Sequence, residues 1–229
     1  MTKRLVIIPA RGGSNRIKYK NLKKLINKPL INYALDSVVK SKIFSKIHIS
    51  SDNKKILNHV TRLGIKNDFK RPKNLSNDTV GLWPVLNFVV KKYYKMKLHF
   101  DEVWLVYATN PFITSNIIHK CKKIFKKNSS KYPVLTVSSF NYPVEWSHEI
   151  NKKGILKPFL KLGKKKRSQD LAKKYCDAGM VAVFPVNFFF KKKIKFNYIP
   201  LILPKYQTVD IDDIEDFKLA KKLLFKKSK

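Results

Sequence analysis

Short apolar runs alternate along this chain with segments of helical period. Leu5, Val6, Ile7 and Ile8 form a run brief enough for a buried strand, ended by Pro9 and Ala10. Residues 30–39 read as a helix with Pro29 at its first turn, and 46–50 as a second strand ending at Ser51-Asp52. Over 54–63 the apolar positions are Ile56, Leu57, Val60 and Leu63, one face of a helix that Gly64 stops. A polar loop follows at 69–78, then a helix near 84–94 and a buried strand at 102–107. Thr114 or Ser115 caps a helix carrying Ile117, Ile118, Cys121, Ile124 and Phe125. Strands are expected again at 133–137, 180–184 and 199–203, and a closing helix at 214–225.

This alternation predicts an α/β protein with right-handed crossovers and a mainly parallel sheet. Ligands on such sheets sit beyond the carboxyl ends of the strands. The loop after the first strand, Ser51-Asp52, Ala108-Thr109 and the region after Val137 should share that edge. The rhythm breaks between Asn141 and Gly179. There, residues 145–150, the turn 151–154 and Ile155-Leu156 suggest a hairpin leaving the core, and 161–167 is too charged to be core. The whole chain, 1–229, is expected to be one domain with 141–179 as an excursion.

Composition adds less. At 44% hydrophobic and 12% aromatic the chain can bury a core. No apolar stretch is long enough to span a membrane, and no signal-peptide pattern precedes the first strand. Cys121 and Cys176 form neither a CxxC nor a disulfide framework, which points to a reducing cytoplasm. Fifty Lys plus Arg against fifteen Asp plus Glu leave a net charge of +35. One reading is nucleic-acid binding, which would be tight, salt-sensitive and indifferent to Asp210 and Asp212. Against it, the lysines lie all along a chain also rich in Ile, Asn, Phe and Tyr, as an A/T-biased coding sequence produces. The preferred reading is a solvated surface that draws in anionic substrates, with no nucleic-acid partner.

Two stretches carry chemistry. The first is R-L-V-I-I-P-A-R-G-G-S-N-R-I-K-Y-K-N, residues 4–21. It places Gly12, Gly13 and the cations Arg11, Arg16, Lys18 and Lys20 where a strand opens into a loop, offering backbone N–H groups and positive charge for phosphate. Its spacing excludes the Walker loop and the dinucleotide fingerprint. The second is 210–216, which holds five of the fifteen acids. Asp213 can cap the last helix and Glu215 and Asp216 complement its N-terminus. Asp210 and Asp212 remain. Alternate residues of an extended segment point the same way, and two such carboxylates suit Mg²⁺ between them.

The first stretch resembles the A-R-x-G-S-K-x-(I/L)-x-x-K-N signature of the nonulosonate cytidylyltransferases. D-I-D before an acidic helix start resembles their metal-binding end. Arg71-Pro72 and Asp78 are similar to the family's R-P-x-x-L-x-x-D segment, and Tyr107-Ala108-Thr109-Asn110-Pro111 to its (Q/Y)-P-T-x-P loop. Arg167-Ser168-Gln169-Asp170-Leu171 with Tyr175 and Asp177-Ala178-Gly179 resembles the pseudaminic acid branch. Asn15 replaces the family's lysine, Cys176 its histidine, Met180-Val181-Ala182 its Gln-Phe-Tyr, and Leu82 stands where a hydroxyl is expected.

The resemblance implies a Rossmann-like three-layer sandwich of the nucleotide-diphospho-sugar transferase type. It implies transfer of CMP from CTP to a nine-carbon 2-keto sugar acid, feeding cell-surface glycans, by a cytoplasmic homodimer exchanging the hairpin region. Sialic or legionaminic acid enzymes are the alternatives. The KDO type ranks last, because Ala108-Thr109-Asn110 lacks the acid it places there. Arg11, Lys20 and Asp212 would be catalytic, with Mg²⁺ on Asp210 and Asp212 and the latter a candidate proton acceptor. Ala10, Arg11, Gly12, Gly13, Ser14, Lys20, Asn21, Arg71 and Tyr107 would hold CTP, Asn21 and Arg71 addressing the nucleoside. Arg167, Gln169, Asp170 and Asp177 would hold the sugar acid. No ligand spacing joins the five histidines, and Cys176 has no base partner for covalent chemistry.

Overall fold

The first strand, β1 (Arg4–Pro9), shows why the sheet is covered on both sides. Leu5 and Ile7 face one apolar cluster while Val6 and Ile8 face another, all fully buried. The computed structural model describes residues 2–160 and 166–227; most of the charged stretch 161–167 lies outside them.

The chain-order elements around β1 are a small ribbon of β2 (Lys24–Leu25) and β3 (Lys28–Pro29), then α1 (Leu30–Ser41), β4 (Lys46–Ser50) and α2 (Lys54–Arg62). Next come α3 (Leu82–Lys95), β5 (Glu102–Val106), α4 (Ser115–Lys127) and β6 (Val134–Ser139). The hairpin β7 (His148–Ile150) and β8 (Leu156–Pro158) precedes β9 (Tyr175–Pro185), β10 (Ile199–Ile202) and α5 (Ile214–Lys227). The six-stranded sheet runs β10-β6-β9-β5-β1-β4. Leu30, Ile31, Ala34 and Val38 of α1 pack on one face with Ile117, Ile118 and Phe125 of α4 and Phe217 of α5. Leu86, Val89 and Tyr93 of α3 cover the other with Phe188 and Phe189. The result is the expected three-layer α/β arrangement. Among the described residues no helix is long and apolar enough to cross a membrane.

Local chemistry sets the helix ends. Asn53 caps α2 by accepting from Lys55 N at 2.8 Å, Thr114 caps α4, and Gly64 ends the α2 region in the left-handed conformation. At α5, Asp213 Oδ1 accepts from the amides of Glu215 and Asp216, and Asp216 Oδ2 accepts in return from the amides of Asp212 and Asp213. That reciprocal box fulfils the capping role expected of Asp213.

One strand departs from the parallel pattern. β1 runs parallel to β4 and β5, and β6 parallel to β10, but β9 is antiparallel to both its neighbours, β5 and β6. Because β9 is reversed, its first residues, rather than its last, lie at the carboxyl edge of the parallel strands. Asp177 accordingly pairs with Val137 at the end of β6, and Tyr107 N bonds Met180 O. The excursion forms the hairpin expected, with Ile150, Leu156 and Phe159 exposed.

Candidate active site

The loop after β1 is shaped by contacts to the end of β4. Ala10 N donates to Ser50 O at 2.9 Å, and Gly12 N donates to Asp52 Oδ1 at 2.8 Å. Gly12 is required by crowding, since a Cβ there would lie 2.7 Å from Asn53 Cβ. Neither Gly12 nor Gly13 has a positive φ; the left-handed residue of this loop is Tyr19, at φ 54°. Tyr19 O accepts from Leu22 N and Lys23 N, closing the turn that aims Lys20 and Asn21. The expectation that both glycines offer a free backbone N–H is thus corrected for Gly12. Gly12 gives close approach and its N–H is taken, whereas Gly13 borders open space.

The loop faces a cavity of about 530 Å³ at the carboxyl edge of the sheet. Arg11, Gly13, Ser14, Lys20, Asn21, Arg71, Tyr107, Asp210 and Asp212 all line it. The two ends of the chain meet directly there: Lys20 Nζ lies 2.7 Å from Ile211 O and 3.1 Å from Asp212 Oδ1. Arg16 lies 3.3 Å from the other oxygen of Asp212. Segment 208–213 is held in place by Ile211, fully buried, whose N–H donates to Thr109 O at 3.0 Å. With Ile211 turned inward, Asp210 and Asp212 face the cavity together.

Electrostatics separates the two acids. Asp212 is exposed and paired with cations, whereas burial pushes Asp210 up to about 6. Its neighbours Asp212 and Asp177 add to that shift; the Thr109 hydrogen bond and Lys20 oppose it. Asp210 Oδ1 is buried with no hydrogen-bond partner in the protein, and Oδ2 abuts Gly179. Such a pair fits a hard divalent cation. Among the described residues no group of three His, Cys, Asp or Glu is assembled for a metal. Mg²⁺ suits this, since it binds through one or two carboxylates with phosphate and water completing the shell.

The cavity wall also includes Arg71, Asn21 and Tyr107. Arg71, 5% exposed, donates from Nε to Ser50 Oγ at 3.0 Å and from a terminal nitrogen to Ser50 O at 2.6 Å. Burial lowers its guanidinium to about 10, still charged at neutral pH. Asn21 donates to Arg11 O at 3.1 Å and keeps a buried, unpartnered Oδ1. Tyr107 OH donates to Asp177 Oδ2 at 3.2 Å, and burial, then Asp177, raise its phenol. Leu82, with Val80 and Val85, makes this wall partly apolar.

Not every residue singled out from the sequence reaches the cavity. Ala10, Gly12 and Asp177 do not line it, although Asp177 accepts from Tyr107, which does. Arg167 and Asp170 are exposed and pair with each other, Nε to Oδ2 at 3.0 Å, and neither they nor Gln169 border the cavity. Two acids went without a role: Asp52, which holds Gly12, and Asp78, which pairs with Arg11 and Asn15. Their signal was scarcity, an acid at a strand end and another in a polar loop of so basic a chain.

Known proteins resemble this chain in sequence and in fold. A family model described as "Cytidylyltransferase" matches residues 5–191. The pseudaminic acid cytidylyltransferase of Campylobacter jejuni is 34% identical over 98% of this chain and 97% of its own. The CMP-N,N'-diacetyllegionaminic acid synthase of Legionella pneumophila is 28% identical over 96% of this chain and 95% of its own. A solved CMP:2-keto-3-deoxy-manno-octonic acid synthetase, complexed with CTP, superposes with a TM-score of 0.71 at 14% identity, covering 99% of this chain and 100% of its own. That last likeness establishes the fold.

Proposed function

Because the chain belongs to the cytidylyltransferase family, we propose that it transfers the cytidylyl group of CTP to pseudaminic acid. The anomeric hydroxyl oxygen bonds to the α-phosphorus, the bond from that phosphorus to the β-phosphate bridge breaks, and pyrophosphate and the hydroxyl proton leave. The observation that carries this reading is the 3.1 Å approach of Lys20 Nζ to Asp212 Oδ1 in a cavity also lined by Arg71 and Tyr107. A cationic loop facing a carboxylate pair provides the positioning and charge neutralisation on which phosphoryl transfer depends.

In this reading Arg11, Ser14, Lys20 and the Gly13 amide hold the triphosphate. Arg71 donates to the cytosine acceptors from a guanidinium braced by Ser50, and Asn21 addresses the nucleoside. Asp210 and Asp212 would hold Mg²⁺, which when bound supplies charge neutralisation at the phosphates. Asp212 is the group proposed to take the hydroxyl proton. Pyrophosphate release from CTP, measured against pseudaminic, legionaminic, N-acetylneuraminic and KDO acids, tests the assignment. Pseudaminic acid should give the fastest release. A faster rate with another acid would reassign the sugar, and no release with any would remove the reaction.

The same reading makes 141–179 the substrate and dimerisation excursion. A two-stranded ribbon is marginal alone, and this one exposes Ile150 (71%), Leu156 (60%) and Phe159 (62%). A homodimer exchanging this region would bury those side chains and carry Arg167, Gln169 and Asp170 to a second copy's cleft. Replacing Ile150 and Leu156 together by Asp should yield a monomer by light scattering with little sugar-dependent turnover. A variant that still runs as a dimer would remove the hairpin from the interface.

A further inference from the structure

Arg11, Arg16 and Lys20, the cations that the loop after β1 turns toward the cavity, each already face an acid. Arg16 and Lys20 meet Asp212, and Arg11 is ion-paired with Asp78. Asp78 stands on the polar loop between Arg71 and α3, and it borders the same cavity as Arg11 and Asn15. Its two oxygens are divided between them: Oδ1 takes the Arg11 guanidinium, and Oδ2 accepts from Asn15 Nδ2 at 2.8 Å. A guanidinium beside an amide donor is the pair that two phosphate oxygens would take. The chain has 50 basic residues and only 15 acids, so most of its cations have no carboxylate to pair with. One of the few acids is nevertheless spent on this loop.

We propose that Asp78 is a built-in stand-in for phosphate, which the triphosphate of CTP must displace from Arg11 and Asn15. This rests on reading 10–21 as the triphosphate cradle. The displacement imposes a fixed cost on any ligand that reaches those two residues. A triphosphate gripped also by Lys20 and Ser14 exceeds that cost, whereas a weakly held anion such as inorganic phosphate does not. The returning carboxylate also competes with pyrophosphate for Arg11, which favours product release. Ligands confined to the nucleoside wall at Arg71 and Asn21 do not touch the Asp78 contact. Asp78 therefore sets selectivity by phosphate reach.

Asp78 is exposed, so Asp78→Asn leaves the packing intact while removing the charge. Titration calorimetry on the full chain would compare three probes: a CTP analogue with carbon between the α- and β-phosphorus, inorganic pyrophosphate, and cytidine. The variant should bind the analogue and pyrophosphate roughly two- to fivefold more tightly, the scale of a solvent-exposed ion pair, with cytidine unchanged. Pyrophosphate should also become a stronger inhibitor of turnover. Equal or weaker binding of the analogue would mean that Asp78 merely orients Arg11, and would overturn the proposal. An equal gain for cytidine would overturn it too, as a general loosening of the site. If the unaltered protein bound neither analogue nor pyrophosphate, the cradle reading itself would fall, a result distinguishable from the other two.

Discussion

Asp212→Ala should reduce Mg²⁺-dependent pyrophosphate release from CTP by on the order of 10²–10³ or more, the scale at which a single charge-stabilising group in a site acts. The protein should stay folded. The Asp212 side chain contacts Lys20 and Arg16 at the mouth of the cavity, with half its area exposed to water. Exposed pairs of this kind contribute little to stability. Its backbone N–H, which holds Asp216 in the cap of α5, is kept in the variant. A pyrophosphate assay with a parallel circular-dichroism melt separates the two effects. Undiminished release would remove the carboxylate pair from the mechanism.

Gly179→Ala should be nearly as damaging, although Gly179 need touch no substrate. Its φ is +58°, and a Cβ there would lie 2.7 Å from Asp210 Oδ2 and 3.1 Å from Asp210 Cβ. Asp210 cannot retreat freely, because the next residue, Ile211, is fully buried and bonded to Thr109 O. The variant must therefore displace the carboxylate or the start of β9, which also carries Asp177. A left-handed alanine costs about 1–2 kcal/mol, which for a chain of this size lowers Tm by roughly 2–8 °C. Misplacing a reacting group by about 1 Å can cost ~10²-fold in rate. The expected outcome is a modest fall in melting temperature with a much larger loss of turnover. Full turnover in a folded Gly179→Ala protein would show that the position of Asp210 does not matter.

Much of the architecture was legible in one dimension. The strand at 46–50 matches the observed β4, and of the two caps offered, Thr114 and Ser115, the first is the one that starts α4. Burial explains this, because a run such as Leu5 to Ile8 is apolar on both faces only if both faces are covered. The reversal of β9 was not legible. A strand buried on both sides, such as 180–184, reads alike in either direction, and its direction depends on where the excursion returns it. The buried pair of Arg4 with Glu102, which also accepts from Trp104 Nε1, was equally hidden. Both charges read as strand-edge residues until tertiary contact supplies a partner.

Residue types and spacing by themselves determined the chemistry available: a basic glycine loop after a strand, two alternating aspartates, and an arginine beside a proline. These are local properties, and local bonding preserves them wherever the elements go. Only the tertiary structure decided which of these groups share a cavity and what each already holds. It brought Lys20 to Asp212 across 192 residues, took the Gly12 amide for Asp52, turned Asp78 onto Arg11, and left Arg167, Gln169 and Asp170 off the cleft. The reason is that charge and hydrogen-bond partners are chosen by distance in space, and sheet order, which sets that distance, is fixed by long-range packing rather than by any stretch of chain.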